Sequence, residues 1–319
     1  MLCEAAGMSR QNYYQQRHAR EQGRVDEALV VELVQAERRR QPCLGGRKLW
    51  HLLKPELVAA EMDLGRDRFF ALLKRHELLI IRRKRTCVTT DSRHGFRVYA
   101  NLARAVVLTA PHQLLVSDIT YLRTLEGFMY LALVMDAWSR KIVGYDCSDS
   151  LEAQGARRAL KRALGQLPEG CRAMHHSDRG TQYCCREYVA MLEEAGVAIS
   201  MTQENHCYEN AKAERLNGIL KQEYGLGATL LDKLQAKHLA REAVMLYNDH
   251  RPHEALAYGY PSQRHRACES DRSGAGGVMP VAGSLMLKEA SVANATVTPP
   301  PAPELKPFVE EARQVLVRT

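Results

Sequence analysis

Residues 174–224 read MHHSDRGTQYCCREYVAMLEEAGVAISMTQENHCYENAKAERLNGILKQEY, and the alternation of short apolar runs with helical patterns in this stretch decides the fold. The run Met174-His175-His176-Ser177 delivers Asp178 into a tight turn, Asp178-Arg179-Gly180. A helix, a short strand over 198–202 and a loop follow. A long helical pattern then carries Glu214, with 35 residues between it and Asp178. Upstream, the alternating run 114–122 sets Asp118 in the middle of a strand. Two aspartates on strands and one glutamate on a helix can converge on hard, oxygen-seeking cations such as Mg2+. A pair of such ions clamps the attacking and leaving oxygens of a phosphodiester displacement.

Outward from that stretch, strand 114–122 turns at Glu126-Gly127 into a nearly continuous apolar strand over 128–135, a pattern suited to a central position. Asp136-Ala137-Trp138-Ser139-Arg140 makes the next turn, and a third strand begins at Lys141. Helix 152–164, strand 172–176, helix 186–195, strand 197–202 and helix 209–224 follow, and an amphipathic helix over 232–248 leads into Asn248-Asp249-His250-Arg251-Pro252. Three hairpin-spaced strands followed by alternating helices and strands predict an α/β fold with a mixed five-stranded sheet and flanking helices. This core spans 111–266.

Five phrases in this order carry a family resemblance: Ser117-Asp118-Ile119-Thr120-Tyr121, Asp136-Ala137-Trp138-Ser139-Arg140, His176-Ser177-Asp178-Arg179-Gly180-Thr181-Gln182-Tyr183, Tyr208-Glu209-Asn210-Ala211-Lys212-Ala213-Glu214-Arg215 and Tyr247-Asn248-Asp249-His250-Arg251-Pro252-His253. The chain resembles bacterial insertion-sequence transposases of the DDE type with a retroviral-integrase-like core, most of all the second-frame (orfB) product of the IS-three group. The resemblance implies a ribonuclease-H-like fold and cleavage at element ends with strand transfer by a 3′-hydroxyl. It also implies Asp118, Asp178 and Glu214 as both catalytic residues and ligands of two Mg2+ ions, with Mn2+ as a substitute. Circle formation before integration, a homo-oligomer on paired ends of double-stranded DNA, target DNA as second substrate, and an upstream-frame helix-turn-helix partner are implied as well. In this setting Lys221, seven residues beyond Glu214 and on the same helix face, holds DNA beside the metal site. Asn210 and Arg179 are further candidates for supporting the site or touching DNA.

Charge divides the chain in the same way. Residues 1–110 hold 21 Lys and Arg against 12 Asp and Glu, and the remainder holds 24 against 25. A basic front beside a near-neutral rear fits a DNA-binding arm joined to a carboxylate-bearing catalytic domain. Residues 1–25 contain Ser9 as a helix N-cap followed by Arg, Gln, Asn and Tyr, which resembles the second half of a helix-turn-helix whose first half is short or missing and reads equally as a capping helix. Residues 26–85 read as three helices broken at Pro42 and Gly45-Gly46, a helix-turn-helix domain with Arg47 and Lys48 opening one helix and Arg66 and Arg68 near the start of the recognition helix. The cluster Arg82-Arg83-Lys84-Arg85 is expected to straddle phosphates. Residues 86–110 read as a linker, and the Gly- and Pro-rich segment 267–319 as a disordered tail.

Competing acids have simpler readings. Asp136 and Asp146 lie near strand ends, where turn or ion-pair roles suit them, and Glu209 suits a helix start. Nine cysteines without Cys-x-x-Cys spacing argue against a zinc site and for reduced thiols in a cytoplasmic, nucleoid-associated protein. No apolar run approaches the length of a membrane span, and no phosphate-binding loop or dinucleotide fingerprint occurs. Two other readings stand beside the transferase: a non-catalytic relative that binds element ends and regulates, and a ribonuclease-H-like nuclease that nicks without joining.

Overall fold

The computed structural model describes residues 9–62, 64–80, 95–203 and 211–266. The long apolar-rich runs that follow Pro111 form an antiparallel meander of β1 (Leu114–Thr124), β2 (Gly127–Asp136) and β3 (Ile142–Ser148). Gly127, at φ +118°, supplies the turn between the first two, a conformation that a side chain would disfavour. Helix α1 (Arg10–Arg40), α2 (Gly46–Ala59) and α3 (Arg66–Arg75) precede the meander, and α4 (Ala153–Leu164) follows it. Strand β4 (Met174–Ser177) then runs parallel to β1, and β5 (Ala198–Met201) parallel to β4, with α5 (Thr181–Cys184) and α6 (Arg186–Glu194) between them. The strand order β3-β2-β1-β4-β5, with only β2 antiparallel to its neighbours, is the expected ribonuclease-H-like arrangement.

Alternation along β1 splits the core between two layers. Leu114, Val116 and Leu122 pack with Leu216 and Leu220 of α7 (Ala211–Glu223) and with Ala240 and Tyr247 of α8 (Lys233–Asp249). Leu115 faces the other way, toward Leu160 of α4 and Tyr188 of α6. Helix α4 lies so close to β3 that a Cβ on Gly144 would meet the Ala159 carbonyl oxygen at 2.1 Å. Asp136 is fully buried as a turn organiser, accepting from His112 N at 2.7 Å, Ser139 N at 2.7 Å and Ser139 Oγ at 2.6 Å. Asp146 takes two bonds from Arg158 at 3.0 and 2.8 Å, so both competing acids have structural work.

Two features differ from the sequence reading. A sixth strand, β6 (Thr229–Leu230), pairs in parallel with the far end of β1, and two residues carry no readable period. The helix expected to restart near residue 26 is already under way: α1 begins after Ser9, whose Oγ accepts Asn12 N at 3.2 Å, and continues through Gly23 to Arg40. The interval holds no proline, and one glycine costs a helix only about 1 kcal/mol. The segment 95–110, within the expected linker, is stitched to the sheet edge: Met201 N donates to Ala100 O, and Ser200 Oγ accepts from Leu102 N and Ala103 N. Residues 1–8, 81–94 and 267–319, which include Arg82, Arg83, Lys84, Arg85 and the expected tail, lie outside the described residues.

Helices α1 to α3 bury their own cluster, including Val34, Leu49, Leu53, Phe69 and Leu73. This unit meets the sheet layer around a buried carboxylate, Glu223 at the end of α7. Arg251 grips both its oxygens at 2.7 and 3.0 Å, and Lys48 Nζ of α2 reaches it at 3.0 Å. Burial alone would push Glu223 up, but the Arg251 bonds and charge, joined by Lys48, hold it below the usual carboxylate range. Tyr224 Oη donates to Gln41 beside it, and His51 stacks on Tyr258 at 3.5 Å. Removing one member of a buried ion pair leaves the others uncompensated. Glu223→Gln is therefore expected to lower unfolding free energy by about 3–5 kcal/mol in urea titration at pH 7. A loss below about 1 kcal/mol, the value of an exposed pair, would show that this junction is not held by Glu223.

Candidate functional site

The site follows from strand register. β1 and β4 pair in parallel at Leu114↔Met174, Leu115↔His175 and Val116↔His176. Two more residues along each strand bring Asp118 level with Asp178, on strands about 4.8 Å apart. Here the chain leaves the sheet: the Asp178 carboxylate accepts Gly180 N at 2.9 Å, an Asx turn that ends β4. Among the described residues β1 has no strand neighbour on this side again until β6 pairs at Arg123, so Asp118 to Leu122 front a notch. A cleft of about 270 Å³ fills it, lined by Asp118, Tyr121, Asp178, Gln182 and Tyr183 among others.

Helix α7 covers the notch. Glu214, Asn217 and Lys221 share one of its faces by their spacing of three and four residues. Asn217 Nδ2 donates to Asp118 Oδ2 at 2.7 Å, and Ile119 N donates to Oδ1 at 2.9 Å, so both oxygens of Asp118 are held. Lys221 Nζ sits 4.3 Å from the centre of the Tyr121 ring. Asn217 was missed by sequence reasoning; its place one turn after Glu214 was the available signal.

Electrostatics tie the three carboxylates together. Burial pushes Asp118 up to about 7, helped by the charges of Asp178 and Glu214 and opposed by its Ile119 and Asn217 hydrogen bonds. Glu214 is raised by burial and then by Asp178. Among the described residues, no three such side chains stand at ligand distance from one another. Hard carboxylate oxygens on a notch that destabilises negative charge are nonetheless a donor set that suits a divalent cation. Tyr183 Oη, buried in the wall without a hydrogen-bond partner among the described residues, fits a polar occupant as well.

The remaining expected residues fall elsewhere. Arg179 donates from Nε to the Thr202 carbonyl at 2.8 Å, which ties the turn to the end of β5. Arg66 pairs with its neighbour Asp67 on an exposed helix start, and Arg68 is exposed on the same turn. Arg47 pairs with Glu254 at 3.0 Å and Lys48 with Glu223, both at the junction between the helical unit and the sheet layer. Asn210 lies outside the described residues. His175 and His176 are buried on opposite faces: Ser117 and Tyr188 meet the first, Ser200 the second, and burial holds His175 down to about 3.

Comparison with known proteins follows the same outline. Residues 109–207 and 195–261 each match a family model described as integrase core domain. The chain is 33% identical over 259 residues to the 31 kDa protein of insertion element IS600 from Shigella sonnei, covering 80% of this chain and 94% of that one. It is 31% identical over 277 residues to the transposase for insertion sequence element IS629 from Shigella sonnei, covering 83% and 90%. Transposase InsF for insertion sequence IS3fB of Escherichia coli K12 is 40% identical over 131 residues, covering 41% and 46%.

The raised Asp118 carboxyl has a consequence for stability. Its folded value, about 7, exceeds the unfolded one, so its contribution is full below about pH 4 and is lost as pH rises to about 7. In chelator, Asp118→Asn is expected to match wild type near pH 4 and to exceed it in urea midpoint above pH 7. Parallel pH profiles for the two proteins would refute the raised value.

Proposed function

The chain belongs to the IS3 family of bacterial insertion-sequence transposases, and from that premise we propose that Asp118, Asp178 and Glu214 carry metal-dependent DNA cleavage and strand transfer at the ends of its element. The protein is a polynucleotidyl transferase that acts in DNA transposition and integration. The observation that supports the three residues most is the parallel register that carries Asp118 and Asp178 to the notch, with Asn217 of the Glu214-bearing helix α7 bonded to Asp118 there. Asp118, Asp178 and Glu214 would hold two Mg2+ ions, or Mn2+ in their place, which when bound supply a polarised nucleophile and charge neutralisation at the leaving oxygen.

The chain's own residues do the rest. Asn217 orients Asp118 by donating to Oδ2, which leaves that carboxylate's charge aimed into the notch. The Gly180 N–H fixes the Asp178 carboxylate through its Oδ1. Lys221, on the Glu214 face of α7 and against the Tyr121 ring, brings a positive charge to the notch edge, where a DNA phosphate would be drawn in. Arg66 and Arg68, exposed at the start of α3, suit phosphate or base-edge contacts in a groove. Arg179 acts in this reading by bracing the Asp178 turn on Thr202. Asn210 and Arg82 to Arg85 remain proposed DNA contacts on sequence grounds alone.

Assembly as a homo-oligomer on paired DNA ends, a partner from an upstream frame and a cytoplasmic, nucleoid-bound location belong to the same proposal. Among the described residues no helix is long and apolar enough to cross a membrane. The regulatory, non-catalytic reading finds no support among relatives that are transposases.

The test is strand cleavage and joining on labelled duplexes carrying the element's own ends, with Mg2+ or Mn2+. Wild type is expected to nick and join; Asp178→Asn should lose both by at least about a thousandfold, since the charge that positions the reacting oxygens is gone. Nicking without joining would make the protein a nuclease, and equal activity in the variant would remove Asp178 from the reaction.

A further inference from the structure

A second cavity, of about 480 Å³, lies on the opposite face of α7, at the junction of the helical unit with the sheet layer. Its wall carries Arg47, Lys48, Arg140, Lys212, Arg215 and Arg251. Two carboxylates answer these six cations: Glu254, paired with Arg47, and Glu223, held by Lys48 and Arg251. Among the described residues no carboxylate forms an ion pair with Arg140, Lys212 or Arg215, although the charge of Asp136 reaches Lys212, so among these residues the cations at the cavity outnumber the carboxylates.

We propose that this cavity seats a backbone phosphate of the DNA bound by the protein, clamped between the start of α2 and the Arg140 turn. The proposal rests on the DNA-transposase reading above and adds to it a site remote from the acidic notch. Crowding of the cations and an uncapped helix start both favour an anion there. Crowding of the cations is felt by His253, which burial and then the charges of Arg251, Lys48, Arg140 and Arg215 hold far below the usual histidine range. Lys212 is likewise depressed by burial and by Arg140, against the opposing charge of Asp136. The first turn of α2, a 14-residue helix, opens on the cavity at Gly45 and Gly46 without a side-chain cap, which leaves the positive end of its dipole facing the same space. A side chain at Gly46 would stand 3.1 Å from the Phe70 ring that also lines the cavity, so the helix start sits tightly against the cavity wall.

The geometry relates the cavity to the reaction. Lys212, Arg215, Leu216 and Ile219 line it, while Glu214, Asn217 and Lys221 face the notch, so α7 stands between two sites with its thickness of about 10 Å separating them. One DNA strand gripped on both sides of α7 would be fixed in register with the acidic residues. Lys48, Arg251 and Glu223 also join the helical unit to the sheet layer, so a phosphate at the cavity would load the junction that positions α3.

The test uses the full chain and a labelled duplex carrying the element's terminal sequence, with binding read by fluorescence anisotropy over a salt series. Arg215→Gln, which replaces an exposed side chain, and Arg140→Gln are compared with wild type and with the charge-conserving Arg140→Lys. The glutamine variants are expected to bind about tenfold or more weakly, with the salt dependence reduced by about one phosphate's worth, while Arg140→Lys stays near wild type. A scan with single methylphosphonates identifies the phosphate: its neutralisation weakens wild type but leaves Arg215→Gln unchanged, as expected for coupled partners. Should Arg140→Gln unfold in a thermal melt, Arg215→Gln carries the comparison alone. Wild-type DNA binding with the same methylphosphonate pattern in every variant overturns the cavity and leaves the transposase reading standing. No binding of the duplex by wild type overturns both. Inorganic phosphate is the second probe: if it raises the melting temperature through Arg215 while no methylphosphonate effect depends on Arg215, the cavity takes a free anion and the proposed seat is wrong.

Discussion

Negative charge brought together at the level where β4 ends is the constraint around which this molecule is arranged. Parallel register puts Asp118 and Asp178 at one height, and the Asx turn at Asp178 opens the sheet beside them. Neither the hydrogen bonds from Ile119 and Asn217 nor the partial exposure of the site offsets the burial and mutual repulsion, because Asp118 still rises to about 7. A fold tolerates such a loss where the charge cluster serves a function. The rest of the core compensates with ordinary close packing, such as β3 against α4 at Gly144 and the apolar layer under α7.

Helix α7 links every functional feature. One face presents Glu214, Asn217 and Lys221 to the notch, the opposite face presents Lys212 and Arg215 to the cationic cavity, and the buried stripe with Leu216 and Leu220 fixes its rotation. Its last residue, Glu223, binds the helical unit through Lys48 and the segment after α8 through Arg251. Displacement of this helix would change the acidic notch and the domain junction together, so positional information can pass between them through one rigid element.

The fold was legible in sequence because its strands carry strong signals: alternation in β1, an unbroken apolar run in β2, and a turn at Asp178 that ends β4. The long helix α1 was not, since a short helix after Ser9 and a separate one from residue 26 were expected where one helix runs through. Strand β6 is too short to have a period. The proposed acids of the site were singled out by their motif context, and Asp136 and Asp146, for which turn or ion-pair roles were the simpler reading, sit in a turn and an ion pair. Asn217, Arg140 and Arg215 were missed because their roles depend on which faces meet in space: a residue three positions after Glu214 and two cations from distant segments carry no local mark. Arg47 and Lys48 were read as DNA contacts from charge alone, and their ion pairs with Glu254 and Glu223 became visible only with the junction in place.

The most direct test of the account is calorimetric titration of Mn2+ into the protein at pH 6 and pH 8, alongside Asp118→Asn. If the three carboxylates form one cation site, wild type binds more tightly at pH 8, releases protons at pH 6, and loses at least about tenfold in affinity in the variant. Equal binding by both proteins, without proton release, would mean that the coupled carboxylates of the notch are not where the cation is held.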